Sequence, residues 1–263
     1  YDSEKVDQLL ARAAEQGRAK AAFLEGASTT PTIPSSDDEA WVVVPVRATR
    51  VDSFVAHEPL PPRDVEGEVA LYATSGTARG RITLLHLSRP IEELLVPSAC
   101  SYHAVVTCPR LTPQPDYRGV EDDGARREVI DAVERAVLVA AELAAGTALG
   151  EHVDVPGART LRGAPPPSGL TAEHSLALEA AHAAAVLRAG DLPHCEASPL
   201  ARVRCIPVLH PSGERGDESV LEVTARARET KALLYRVGRG RQAPGAYPLA
   251  LLEAGSVECL SRL

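Results

Sequence analysis

The chain predicts an α+β fold, in which antiparallel sheets pack against long Ala-rich helices. Short β-branched runs are separated by Gly- and Pro-rich turns, Ala-rich stretches repeat apolar residues at helical spacing, and the two kinds of segment come in blocks rather than in strict alternation.

The first helix is expected from Asp2 to about Gly26, where Val6, Leu9, Leu10, Ala13 and Ala14 fall at spacings of three and four, and Asp2 or Ser3 can cap it. Residues 27–38 hold Ser, Thr and Pro and read as an extended link. Trp41–Ala48 is β-branched and reads as a strand, placed at an edge or a bulge by Pro45, which cannot donate to a ladder. Strands follow at Glu68–Thr74 and Arg81–Leu87, paired as a hairpin across the turn Ser75–Gly80, and at Tyr102–Cys108.

A long helix is expected from Asp123 to Leu149, with Glu128, Asp131, Arg135 and Glu142 along one face. Between Val137 and Ala148 only Glu142 is charged, so this half should be buried. After a connector with Pro165, Pro166 and Pro167, Thr171 can cap a helix to Ala189. Ala201–Leu209, Ser219–Ala227, Ala232–Val237 and Pro248–Leu260 read as strands.

This divides the chain into residues 1–156, a Gly/Pro-rich connector at 157–169, and residues 170–263, or a single continuous domain. TARGRIT at Thr77–Thr83 echoes TARARET at Thr224–Thr230, and Val43–Val46 echoes Cys205–Val208. The echoes suggest two related halves about a pseudo-twofold axis.

With 44% hydrophobic residues over 263 positions, the chain can bury a substantial core without a covalent staple. That core should be small and aliphatic, since the sequence has one Trp, two Phe and no Met. No apolar run suits a membrane span, and the charged residues of 1–25 do not suit a signal peptide. Five scattered cysteines without CxxC pairs predict reduced thiols and an intracellular protein, cytoplasmic or inside an organelle after loss of a leader. A net charge of −8 weighs against nucleic acid as a partner and favours proteins or small molecules.

Cys100, His103 and Cys108 spell a short zinc-like string, but His103 and Cys108 should point to opposite faces of a strand, so no metal site is expected. His194, Cys195, Cys205 and His210 form a second group, in which Cys205 reads as a core thiol. His174 and His182 stack on one helix, with Glu179 three residues before His182. An acid–base or small-ligand site would use His182 and Glu179, with His174 nearby. The plainer reading puts these histidines at the helix's boundary with solvent. G-x-S-x-G, G-x-x-x-x-G-K-[ST] and G-x-G-x-x-G are all absent.

Arg236, Gly238, Arg239, Gly240 and Arg241, with Gly245 beyond them, form the one basic Gly-rich segment, able to present amides and guanidinium groups to a phosphate or an RNA backbone. Over ten residues it resembles the glycine-rich loop of CRISPR repeat-cleaving endonucleases, with the glycine spacing displaced by one. His182 followed by Arg202–Leu209 resembles the tail of split-barrel flavin- or haem-associated proteins, but Ala180 and Ala181 stand where that family has Asn and Asp. Neither likeness assigns a family or a cofactor. The sequence therefore favours a non-catalytic interaction or assembly protein, a self-associating or complex-bound subunit. A ligand site at His182 and Glu179, or a phosphate-gripping loop at Arg236–Gly245, are the alternatives.

Overall fold

In the computed structural model, residues 3–34, 39–48, 61–73, 79–167, 169–189, 196–237, 246–252, 257 and 260 are described. The fold is α+β. The helices are α1 (Ser3–Glu25), α2 (Gly124–Leu149), α3 (Ala172–Ala189), α4 (Pro199–Arg202) and α5 (Val220–Thr230). The strands of the larger sheet are β1 (Ala40–Pro45), β2 (Glu66–Tyr72), β3 (Arg79–His86), β4 (Arg89–Pro97), β5 (Ser101–Thr107) and β6 (Arg159–Thr160). Those of the smaller sheet are β7 (Ile206–Leu209), β8 (Arg215–Glu218), β9 (Tyr235–Val237) and β10 (Leu249–Leu252). Among the described residues no helix is long and apolar enough to cross a membrane.

The larger sheet runs β4-β3-β5-β2-β1-β6. The expected hairpin between β2 and β3 does not form, because β5 lies between them, antiparallel to β2 and parallel to β3. β3 instead pairs with β4, a strand the sequence reading missed. Nor is β1 an edge, since β6 pairs with it at Val42 and Val43. Pro45 is accommodated as the last residue of β1, beyond the reach of that short partner, and the bulge lies earlier, between Ala40 and Val42.

Both faces of this sheet are covered. Val42, Val44, Val69, Leu71, Ile82 and Leu84 join the main core, against which α2 packs. A smaller cluster forms on Val43, Ala70, Leu85 and Val105, closed by Ile33 from the segment after α1. Glu68 fixes that segment by accepting from the Ile33 amide at 2.8 Å and from Arg159 at 2.6 Å.

Asp123 caps α2 by accepting from the Arg126 amide, and Gly150 ends it in a left-handed conformation. Every residue from Ala136 to Gly146 is buried, Val137 and Ala141 included, as the apolar run predicts. The expected charged face is interrupted, however. Arg135 and Glu142 lie in the core at 4% and 0% exposure, because the second half of α2 is enclosed by the sheet, α3 and α4 together. Arg135 donates to the Ala48 carbonyl at 3.0 Å, and Glu142 accepts from Ser198 at 2.8 Å.

The smaller sheet, β8-β7-β10-β9, has its own order and a parallel β9–β10 pair. Two expected strands there are partly or wholly helical. Ala201 and Arg202 belong to α4, and Ser219–Ala227 becomes the cap and body of α5, where Ser219 and Glu222 form a reciprocal capping box. Arg79–Thr83 of the first echo therefore lies in a strand, β3, whereas Thr224–Thr230 of the second lies in a helix, α5. Together with the unlike sheet orders, this gives the pseudo-twofold idea no support.

Gly67 is the tightest point of the main sheet. Its φ is +151°, and a β-carbon there would stand 2.2 Å from the Val105 carbonyl oxygen. Gly67→Ala is expected to lower stability by about 2–3 kcal/mol, seen as an earlier urea midpoint, whereas Gly124→Ala, with open space at its position, should not lower it.

Candidate functional site

α3 carries the titratable residues singled out in the sequence, but its structure separates them. His174 sits near the start of the helix, half-buried, where its Nδ1 and the Thr171 hydroxyl share a hydrogen bond of 2.8 Å and its ring lies 4.6 Å from that of Trp41. Two turns on, His182 is 2% exposed, and Glu179 is 5% exposed. Both fall on the buried face with Leu178, Ala181 and Ala185, since α3 is packed by α2 on one side and by β7 on another. The expectation of boundary histidines holds for His174 and fails for His182. Burial drives His182 down to about 4, so the imidazole is neutral at neutral pH. Glu179 lies close enough to Cys205 to help burial hold that thiol above its ordinary value.

Cys205 is a fully buried thiol, as expected, but it lies just before β7 rather than on a strand face with Val203, which ends α4. His103 shares a hydrogen bond of 3.1 Å with Thr83, while Cys100 and Cys108 are buried free thiols. Among the described residues no group of three potential ligands could hold a metal ion. His194 and Cys195 lie outside the described residues, as do Gly238, Arg239, Gly240, Arg241 and Gly245. Arg236 is described only as a backbone position in β9.

A cavity of about 390 Å³ opens at the other end of the α2–α3 contact, and His174, Glu179 and His182 do not line it. One wall is the turn between β4 and β5, with Pro97 and Ala99. The helices add Val137 and Leu138 from α2 and Ala184 and Leu187 from α3. At the rim Arg188 donates to Glu134 at 3.0 Å and to the Asp131 carbonyl at 3.3 Å. Cys100 and Tyr102 are the buried polar groups of the lining. The Cys100 thiol donates to the Ala177 carbonyl at 3.5 Å, and burial pushes it up to about 12, so it is not a thiolate.

Tyr102 escaped the sequence reading. Its ring crosses Gly80, its neighbour on β3, so closely that a β-carbon on Gly80 would lie 2.5 Å from the phenol oxygen. A lone glycine within the strand Arg79–His86 was the available signal, because such a residue often marks the close approach of another group.

A further exposed feature is α1. Phe23 anchors its end, with its ring 6.0 Å from that of His86 and 5.3 Å from that of Tyr117. Arg89 donates to the Gly26 carbonyl at 2.9 Å, and the Thr29 amide to Ser88 at 2.7 Å. Beyond that anchor the helix is exposed, with Leu9 and Leu10 each at 64%.

A neutral buried His182 makes stability depend on pH. Between the ordinary 6.5 and the folded value of about 4, the unfolded chain binds a proton that the folded chain does not. Stability should therefore fall as pH is lowered through that window, by at most about 3 kcal/mol from this residue. Urea midpoints of His182→Leu should show a flatter pH profile over the same range.

No family model, no curated protein and no solved structure matches the chain, so the candidate sites rest on their own geometry.

Proposed function

We propose that this chain is a non-catalytic assembly protein that pairs with a second copy of itself through α1. The observation that carries the reading is the exposed apolar stripe of Val6, Leu10, Ala13, Gly17, Ala21 and Leu24, recurring every three or four residues along a helix whose main contact, among the described residues, is with β4 near its end. Water-exposed leucines arranged this way gain most by burial against a like surface.

Symmetry favours a second copy as the occupant. Leu10 and Leu24 stand about two turns on either side of Gly17, which has open space where a β-carbon would be. An antiparallel pair crossing at Gly17 sets Leu10 of each copy against Leu24 of the other, and Ala13 against Ala21. The small residues permit close approach at the crossing, and the contact closes on itself as a twofold interface. Charge agrees. Along α1 the acids Glu4, Asp7, Glu15 and Glu25 are matched in number by Lys5, Arg12, Arg18 and Lys20, so two such helices meet without net repulsion on a chain of net charge −8.

Burial of His182 and Glu179 supports packing roles for them over acid–base work. Sedimentation equilibrium should find a dimer, and Leu10→Glu should weaken it at least about a hundredfold, since the carboxylate would enter the seam. Far-ultraviolet circular dichroism of the variant should be unchanged. A wild-type chain that stays monomeric through the micromolar range would end this reading, and a dimer indifferent to both Leu10→Glu and Leu24→Glu would remove α1 from the contact.

A further inference from the structure

We infer that His86 is a proton-sensitive latch: its neutral ring holds the end of α1 against the β3–β4 turn, and protonation of that ring releases the helix. The latch concerns how α1 is held rather than what it meets, and it stands whether or not α1 pairs with a second copy.

The attachment of α1 is narrow. Among residues 4–25 only Ala19 and Phe23, one helical turn apart, are even partly covered, and Phe23 meets the rings of His86 and Tyr117. The polar links run to the same place, through Arg89 to the Gly26 carbonyl and from the Thr29 amide to the Ser88 carbonyl. The backbone that receives them is strained. Of the four described non-glycine residues with positive φ, three belong to this cradle: Leu87 at 48°, Ser88 at 60° and Tyr117 at 56°. A two-residue hairpin turn with positive φ at both positions ordinarily carries Asn and Gly, and side chains in such conformations persist only where their surroundings hold them, commonly in segments that switch. The end of α1 is part of what surrounds this turn.

His86 is the group in the cradle whose charge changes near neutral pH. Lys20 faces it from α1, and Arg89 is its cross-strand partner on β4. Among the described residues no carboxylate acts on it. Burial first, and then the charge of Lys20, hold His86 below the usual histidine range. An imidazolium there would be a third positive charge beside Lys20 and Arg89, and Arg89 cannot turn away without giving up the Gly26 carbonyl. Because attached α1 weakens proton binding at His86, proton binding weakens attachment: the helix is held fully above the ordinary 6.5, and the hold is lost as pH falls below it.

Hydrogen exchange of the full chain, read by mass spectrometry at about pH 7.5 and about pH 5 and corrected for intrinsic rates, reports the latch directly. Residues 19–29 should be protected at the higher pH and lose that protection at the lower, while α2 keeps its own. His86→Phe retains a ring beneath Phe23 and removes the proton site, so its residues 19–29 should stay protected at both. A separate measure is the titration of the His86 ring by nuclear magnetic resonance in the wild type and in Phe23→Ala. The midpoint should be higher in the variant, because freeing α1 removes both the burial and Lys20. Any one of four results overturns the latch: equal protection of residues 19–29 in the wild type at both pH values, the same loss in His86→Phe, a loss that spreads to α2, or identical His86 midpoints in the wild type and Phe23→Ala.

Discussion

The enclosure of α2 is the constraint on which the rest of the fold depends. From Ala136 to Gly146 every residue of this helix is buried, so it needs cover on all sides. The sheet supplies one side through β1, β2 and β5, while α3 and α4 supply others. The residues that make this enclosure possible are small. Ala140, Ala141, Ala144 and Ala145 are fully buried, and Gly146 faces Val153 so closely that a β-carbon would stand 2.2 Å from that side chain. Small side chains bring backbones near one another, and a close-packed interior then leaves little tolerance for added volume.

Burying a helix on every face also buries whatever polar groups it carries, and the chain satisfies some of these with groups from distant elements. Glu142 receives the Ser198 hydroxyl, and that serine also caps α4, so one side chain ties the start of a short helix to the middle of a long one. Arg135 reaches the Ala48 carbonyl just beyond β1. Such contacts add less net stability than their number suggests, but breaking one would strand a polar group in the core. They fix which face of α2 meets which neighbour, a choice that an Ala/Val surface alone specifies weakly.

Where the sequence carried a strong local period, it was legible. α1, α2 and α3 follow their apolar spacing to within a residue or two, and the strands at β1, β2, β3 and β5 follow their β-branched runs. The failures have physical causes. β4 hides because Glu92 and Glu93 interrupt its apolar residues, yet Glu92 lies turned toward Arg126 and the Val120 amide, making it a structural anchor rather than a loop residue. α5 was misread because Val220, Val223 and Thr224 favour a strand on propensity, although Ser219 and Glu222 already spelled its capping box. Strand order was not legible at all. Placing β5 between β2 and β3 is a tertiary choice, and the turn signal at Ser75–Gly80 spoke only for its neighbours in sequence. The sequence placed Glu179 and His182 together on α3, and the structure buries both, since periodicity shows which residues share a face and not whether that face meets a core or solvent.

The composition that allows α2 to be enclosed also explains why a cavity persists beside it. Near the contact between Glu134 and Arg188, the facing residues of α2 and α3 include Leu138 and Ala184, and the β4–β5 turn offers Pro97, Ser98 and Ala99. Filling such a gap takes a long or aromatic side chain, and methionine is the residue best able to follow an irregular outline. The chain has no Met and only two Phe, one of which, Phe23, is used to anchor α1. Tyr102 is the large side chain that does reach this region, and it does so only because Gly80 has no side chain beneath it. The glycine and the tyrosine are thus one arrangement: the absence of a side chain at position 80 is what lets the Tyr102 ring approach β3 so closely.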